Sequence, residues 1–224
     1  DFTNYWEYYF DFQRDYASIK KTLSADGVML RAVSFAPGIR ILKQDPWECT
    51  VSFIISANNM IPRIMNSVEK ICRDFGDRIA CSGETFYSFP SPSRLRKAPI
   101  DKLGGCGIGY RCTYLKRAGE MVDSGEVSLD SIARMEAGDG RRELMKLPGV
   151  GPKVADCIML YSMGKYDVFP TDVWIKRAVE TLYFRREASI AEIRRFAAGR
   201  FGKIAGFAQQ YLYYYARENR IGAE

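Results

Sequence analysis

Apolar residues recur along this chain with a helical period. Ile61, Ile64, Met65, Val68, Ile71, Cys72 and Phe75 follow i, i+3, i+4, i+7 spacing, and the run stops at Gly76, a residue suited to the position just past a helix C-terminus. Upstream, Asp45-Pro46-Trp47-Glu48 supplies an N-cap, a proline at the first helical position and an acid at the third, which predicts a helix to about Ala57. Another is expected over roughly Tyr110 to Asp123, ending at Gly125. Ser128 caps a short one through Met135. Ser189 and Glu192 form a capping box for a helix reaching Arg200, and Ile204 to Glu218 reads as a long, tyrosine-rich last helix. No alternating run between paired turn signals argues for a sheet. The fold expected is all-α.

The 224 residues, 47% of them hydrophobic, suffice for one substantial core or two small ones. A net charge of +6 has the sign that suits a polyanionic partner, without identifying one. The chain has no histidine, which removes Ser-His-Asp and Cys-His catalysis and any histidine-bound metal. Its six cysteines are scattered without a C-x-x-C pair, a pattern of reduced intracellular thiols rather than of metal ligands. Chemistry is left to Lys, carboxylates, Tyr or Cys. The longest apolar runs, such as Val51 to Ile55, are too short to span a bilayer, so no membrane is expected. Asp1 to Phe12 is no signal peptide, and without an initiator Met the chain reads as starting inside a longer protein.

The stretch Leu147-Pro-Gly-Val-Gly-Pro-Lys-Val-Ala-Asp-Cys157 carries the strongest chemical signal. Its two glycines permit a tight hairpin, and Pro152 stands where the next helix should begin. Glycine N–H groups beside a helix N-terminus make a phosphate site. A plain helix-to-helix turn would need less order than this. Lys153 falls in the first turn of the second helix, where the macrodipole favours a neutral amine, the form Schiff-base chemistry requires. Cys157 lies one turn on, along the same face. Nineteen residues after Lys153 comes Asp172, in Phe169-Pro-Thr-Asp-Val-Trp-Ile-Lys176, placed as a helix N-cap. A fainter echo, Gly107-Ile-Gly-Tyr-Arg111, resembles Gly149-Val-Gly-Pro-Lys153, each at a predicted helix start.

Taken together, Asp45-Pro-Trp-Glu-Cys49, Ser56-Ala-Asn-Asn59 with Arg63, Gly107 to Arg111, the hairpin through Cys157, Pro170-Thr-Asp172 and Ala205-Gly-Phe-Ala-Gln209 resemble the helix-hairpin-helix (HhH-GPD) DNA glycosylases, and within them the 8-oxoguanine branch. The resemblance implies a base-excision repair enzyme that removes 8-oxoguanine opposite cytosine from duplex DNA and then cleaves the strand by β-elimination. Lys153 matches the nucleophile that forms an imine with C1′, and Asp172 its essential carboxylate. Gln209 matches the residue bonding the flipped base, with Tyr213 and Cys157 on its two faces. Asn58 and Tyr110 match the gap-filling and wedge residues, and Arg63 and Arg111 the readers of the orphan cytosine. Gly149, Gly151 and Val154 form the phosphate-binding hairpin, and the carbonyls of Met145, Leu147 and Val150 are the family's place for a monovalent cation. No cofactor is required, the partner is double-stranded DNA containing oxidised guanine, and a monomer is expected inside the cell, in the cytoplasm or nucleoid of a bacterium or the nucleus of a eukaryote.

The resemblance also implies two helical lobes. Residues 1–44 are expected as N-terminal helices packing on the C-terminal lobe, 45–145 as the middle lobe, and 146–224 as the helix-hairpin-helix and C-terminal lobe. The family's antiparallel β-domain is largely absent, its end falling at about Asp1 to Phe12. Trp174 departs from a common histidine. Other glycosylases of the superfamily are the alternative: the iron–sulfur branch needs cysteines after the catalytic Asp, and none follows Cys157, while alkyl-base relatives generally lack the hairpin lysine. A non-catalytic DNA-binding module would have no need of Lys153 and Asp172 together.

Overall fold

The computed structural model describes residues 2–222. Among them the fold is helical as expected, with one small exception. The chain divides into two compact units, residues 45–158 and residues 1–44 with 159–224. The second division therefore falls at Ile158/Met159 and not after residue 145, because the hairpin packs into the middle unit. Gly149 lies against Ile54 and Tyr114, and Leu147 and Val150 are buried.

In the middle unit, Asp45 caps the helix Pro46–Ser56 by accepting the Trp47 and Glu48 N–H groups, both at 2.9 Å. The buried Trp47 indole donates to the Pro90 carbonyl at 2.9 Å. The helix Ile61–Phe75 ends where its pattern ends, but for another reason than a left-handed cap. Gly76 is extended (φ −83°, ψ 174°), and a Cβ there would stand 1.9 Å from the Ser88 carbonyl oxygen. Close approach, not positive φ, demands glycine. What presses on it is the segment returning from a two-stranded antiparallel ribbon, Arg78–Cys81 with Glu84–Tyr87, in which Ile79 faces Phe86. All eight ribbon residues are exposed, so no alternation of apolar and polar positions announces them. Helices Pro92–Lys97, Ile100–Gly105, Arg111–Asp123, Leu129–Arg134 and Ala137–Leu144 complete the unit up to the hairpin. Ser128 caps its helix by accepting the Ser131 N–H.

The other unit is built on Tyr16–Leu23, Gly27–Phe35, Val173–Val179, Ile190–Phe201 and Ala205–Glu218. The Ser189–Glu192 capping box is present, and the last helix packs on Val173–Val179 and Gly27–Phe35. The expected end of a β-domain at residues 1–12 is not seen among the described residues. Phe2–Trp6 forms π-helical turns and Glu7–Tyr9 a helical one, while Asp1 lies outside the described residues. Aromatics four apart favour this coiling: Tyr5 stacks on Tyr9 and Trp6 on Phe10. The segment ends at buried Asp11, which meets Lys43 at 2.8 Å, Arg14 at 2.5 Å and the Tyr16 hydroxyl at 3.1 Å.

Asp26 ties three elements of this unit. Its carboxylate accepts the Val28 and Met29 N–H groups at 2.9 and 3.0 Å, the Tyr183 hydroxyl at 3.0 Å and the Arg200 guanidinium at 2.9 Å. Burial alone would raise its pKa, but the Met29 N–H, Arg200, Tyr183 and the Val28 N–H outweigh it and hold the carboxyl below its ordinary value of 3.8. A depressed carboxyl stabilises the fold at pH above its unfolded value and loses that contribution as pH falls through the folded one. Asp26→Ala should therefore cost about 1–2 kcal/mol at neutral pH, and the gap to the parent protein should narrow below about pH 4. Urea unfolding at several pH values tests this, and a gap of constant size down to about pH 2 would refute the linkage.

Candidate active site

The hairpin is local physics made visible. The helix Ala137–Leu144 ends at Met145, the chain turns, and the helix Pro152–Ser162 begins with the predicted proline. Gly149 adopts φ +81°, and the Val150 N–H donates to the Leu147 carbonyl at 3.1 Å, closing the turn. A Cβ on Gly149 would lie 2.9 Å from the Tyr114 ring and 3.2 Å from the Ile54 methyl, whereas one on Gly151 would meet nothing within 4 Å. Gly149 is thus required twice over, by conformation and by space. Gly151 is required by neither, and its exposed backbone is open to a ligand.

Lys153 is half-buried in the first turn, its Nζ 5.5 Å from the centroid of Phe53. The ring gives the amine an apolar and weakly attractive neighbour. Val154 and Cys157 are buried on the same helix. Between them is Asp156, with no exposed surface, held by the Arg141 Nε at 2.6 Å. Reading the sequence for chemistry passed over this pair, yet a signal was present: Asp156 is the one acid in the apolar run Val154 to Leu160.

Asn58, Tyr110 and Arg111 come together in the middle unit. Arg111 donates to the Ala57 carbonyl and, at 3.4 Å, to that of Ile108, and its guanidinium lies 4.6 Å from the Tyr110 ring centroid. The Asn59 amide donates to the Ile55 carbonyl at 3.2 Å. Between these two ties Asn58 is exposed and takes φ +50°, a left-handed conformation that asparagine tolerates better than most residues. Tyr110 is 63% exposed, large enough a surface for a wedge. It stands edge-on to Tyr114 at 5.6 Å, and Tyr114 in turn touches Gly149. Arg63 is exposed in the first turn of Ile61–Phe75.

The remaining predicted residues belong to the other unit. Asp172 is the N-cap of Val173–Val179, its carboxylate accepting the Ile175 N–H at 2.8 Å. The preceding Thr171 is fixed by its hydroxyl donating to the Phe169 carbonyl at 2.9 Å. Gln209 is buried, and its side-chain carbonyl accepts the Gln210 amide at 2.5 Å. That amide also reaches the Tyr161 hydroxyl at 2.5 Å. Tyr213 is half-buried, with the Arg217 guanidinium 5.6 Å from its centroid. Trp174 carries Arg177 at 5.8 Å.

A family model described as HhH-GPD superfamily base excision DNA repair protein matches residues 51–201. The chain belongs to this superfamily. A second model, the N-terminal domain of 8-oxoguanine DNA glycosylase, matches residues 1–50. This HhH-GPD protein is 35% identical to a probable N-glycosylase/DNA lyase of Methanothermobacter thermautotrophicus over 96% of its own length and 75% of that protein's. Among solved structures it resembles MBOgg1 in complex with low affinity DNA ligand, with 48% identity and a TM-score of 0.94 over 98% of this chain and 76% of that one. The Clostridium acetobutylicum 8-oxoguanine glycosylase/lyase, in complex with double-stranded DNA containing cytosine opposite 8-oxoguanine, gives 45% identity and a TM-score of 0.93 over the same shares.

The two hairpin glycines of the HhH-GPD protein should separate in stability. Gly149→Ala combines positive φ with contact on Tyr114 and should cost about 1–3 kcal/mol. Gly151→Ala should stay within about 0.5 kcal/mol. Urea or thermal unfolding of the two variants decides, and equal losses would show that the Gly149 environment is not as described.

Proposed function

We propose that this protein excises 8-oxoguanine paired with cytosine from duplex DNA through a Schiff base on Lys153 and then cleaves the strand by β-elimination. The observation that carries the reading is Lys153 itself, a half-buried amine in the first turn of a helix directly after a glycine hairpin, set beside an aromatic ring. Membership of the superfamily, and the likeness to 8-oxoguanine glycosylase/lyases across nearly the whole chain, support it.

Chemistry on a base requires its nucleotide to leave the stack. Tyr110 is the exposed wedge and Asn58 the filler of the gap, while Arg63 and Arg111 offer guanidinium donors to the O2 and N3 acceptors of the orphan cytosine. The Gly149 and Gly151 amides and that of Val154 hold a phosphate at the helix N-terminus. Gln209 bonds the pairing edge of the extruded base, and Tyr213 and Cys157 flank its faces. The Lys153 amine attacks C1′ as the bond to the base breaks, and the base leaves with the bonding pair. Asp172, held in place as the cap of its helix, balances the charge that develops on the sugar. Ring opening gives the imine, and loss of a C2′ proton expels the 3′ phosphate.

The carbonyls of Met145, Leu147 and Val150 follow the C-terminus of Ala137–Leu144, where the helix dipole is negative. Neutral oxygen donors suit an alkali ion, and the Leu147 carbonyl keeps one lone pair beyond its bond to Val150. Bound there, a monovalent cation would add positive charge beside the phosphate. The reaction calls for no other cofactor, and its substrate places the protein with the genome, in nucleoid or nucleus. Among the described residues no helix is long and apolar enough to cross a membrane.

Borohydride should trap the protein covalently on duplex carrying 8-oxoguanine. Lys153→Gln should abolish the adduct while duplex binding persists, and Asp172→Asn, which still caps its helix, should slow base release about a hundredfold. A trapped adduct at parental yield in Lys153→Gln would identify another amine as nucleophile.

Arg63→Ala should relax the preference for cytosine opposite the lesion more than it lowers the rate on the cytosine pair. Single-turnover rates opposite cytosine and adenine measure this, and an unchanged ratio would remove Arg63 from the reading of the orphan base.

A further inference from the structure

The amine on which the proposed reaction depends is loosely tied by its own side chain. Among the described residues the Lys153 Nζ has neither an ion pair nor a hydrogen bond, only the Phe53 ring, whose centroid is 5.5 Å away. Lysine is a point charge on a flexible stem, so without a tether it takes its aim from the backbone that carries it. That backbone is the helix Pro152–Ser162. Whatever sets the rotation of this helix sets the amine.

One contact does so directly. Asp156, three residues beyond Lys153, has no exposed surface, and its carboxylate accepts the Arg141 Nε–H at 2.6 Å. Arg141 belongs to the other arm of the hairpin, the helix Ala137–Leu144. The neighbouring pairs Arg142–Asp139 and Lys146–Glu143 join residues three apart and stay on one side of the turn. Solvated pairs of that kind add little. Arg141–Asp156 crosses the turn. The usual N–H···O range ends at about 3.2 Å, which leaves this bond about half an ångström of play. Three residues on a helix span about 300°, so Asp156 and Lys153 stand about 60° apart around one axis. The lysine side chain is the longer lever, and a small turn of the helix carries the amine farther than the carboxylate. Cys157, next to Asp156, is carried with them.

Stability alone does not account for this pair. Apolar residues of similar volume often fill such a place equally well or better, because burying two charges strips them of water. What apolar residues lack is direction, since a packed hydrocarbon tolerates turning that a guanidinium N–H does not. We propose that Arg141 and Asp156 are positioning residues, locking the rotation of Pro152–Ser162 so that the Lys153 amine is aimed at C1′. This rests on the reading of Lys153 as the nucleophile.

The test removes both charges at once, Arg141→Met with Asp156→Leu, and so strands no ion. Its urea unfolding midpoint should lie close to the parent's, and its affinity for undamaged duplex should be unchanged. Single-turnover excision of 8-oxoguanine opposite cytosine should fall about a hundredfold, the usual consequence of a reacting group displaced by an ångström. Borohydride trapping on duplex with a preformed abasic site should fall less than about threefold, because an open-chain aldehyde is free to turn toward a misaimed amine. Arg141→Lys keeps a charge opposite Asp156 but gives up the directed Nε donor, and should lose excision about tenfold at parental stability. Parental excision in the folded double variant would overturn the assignment, and so would equal losses on the two duplexes, which mark a damaged hairpin and not a misdirected amine. If the double variant does not fold, Arg141→Lys decides in its place, and parental excision there has the same meaning. A parent protein that forms no adduct on either duplex would overturn the Schiff-base reading, and the positioning role with it.

Discussion

Asp156 carries a charge where the protein exposes no surface, and Arg141 meets it at 2.6 Å. Breaking a buried ion pair by removing one of its members costs about 3–5 kcal/mol. The pair joins the helix before the hairpin to the helix after it, so the turn between them is closed at its base by an interaction that permits little sliding. Asp156 is also three residues beyond Lys153 and directly precedes Cys157. On a helix those offsets are fixed angles and rises. Rotating the helix to re-aim the amine would pull the carboxylate off the guanidinium.

This anchoring explains how a short loop of glycines can hold a reactive group steadily. Gly149 contributes conformation and close packing on Ile54 and Tyr114, and Gly151 contributes an open backbone. The lysine rests on Phe53, on a helix whose own start is fixed by Asp45. The residues proposed to read the duplex are secured by the same means. Arg111 ties the Asn58 loop to the loop before its own helix through two carbonyls. Precision in this unit comes from helix ends, where polar groups lack partners within the helix and seek them outside.

What the sequence revealed follows from locality. Helix starts and stops depend on a few neighbouring residues, so Asp45, Ser128, Ser189 and Pro152 announced their elements, and Asp172 announced itself as a cap. Gly76 marked the right boundary, but its reason was a carbonyl farther along the chain, at Ser88, which no local rule contains. The exposed ribbon lacked any buried face to impose a period of two. The hairpin and the lysine that follows it were legible because they are written in consecutive residues. Arg141 with Asp156, and Phe53 beneath Lys153, were not, since each pair meets only after folding. Gln209 and Tyr213 stood out through family likeness alone.

The distribution of thiols has a consequence for durability. Oxidants attack the thiolate, and burial together with nearby carboxylates pushes the Cys72 and Cys106 thiols up to about 11. Burial acts on Cys106 ahead of the neighbouring Asp74, and it raises the Cys112 thiol as well. Cys49 and Cys157 are buried too, and among the six only Cys81, on the ribbon, is exposed. A protein that works where guanine is being oxidised meets the same oxidants itself, and its first casualty is set by this arrangement. Cys81, the exposed thiol, lies on a ribbon that holds none of the residues assigned to the reaction, while the thiol assigned to the base pocket is buried. An oxidant arriving from solvent therefore meets the ribbon thiol before the buried ones, at a place remote in sequence from the hairpin and its lysine.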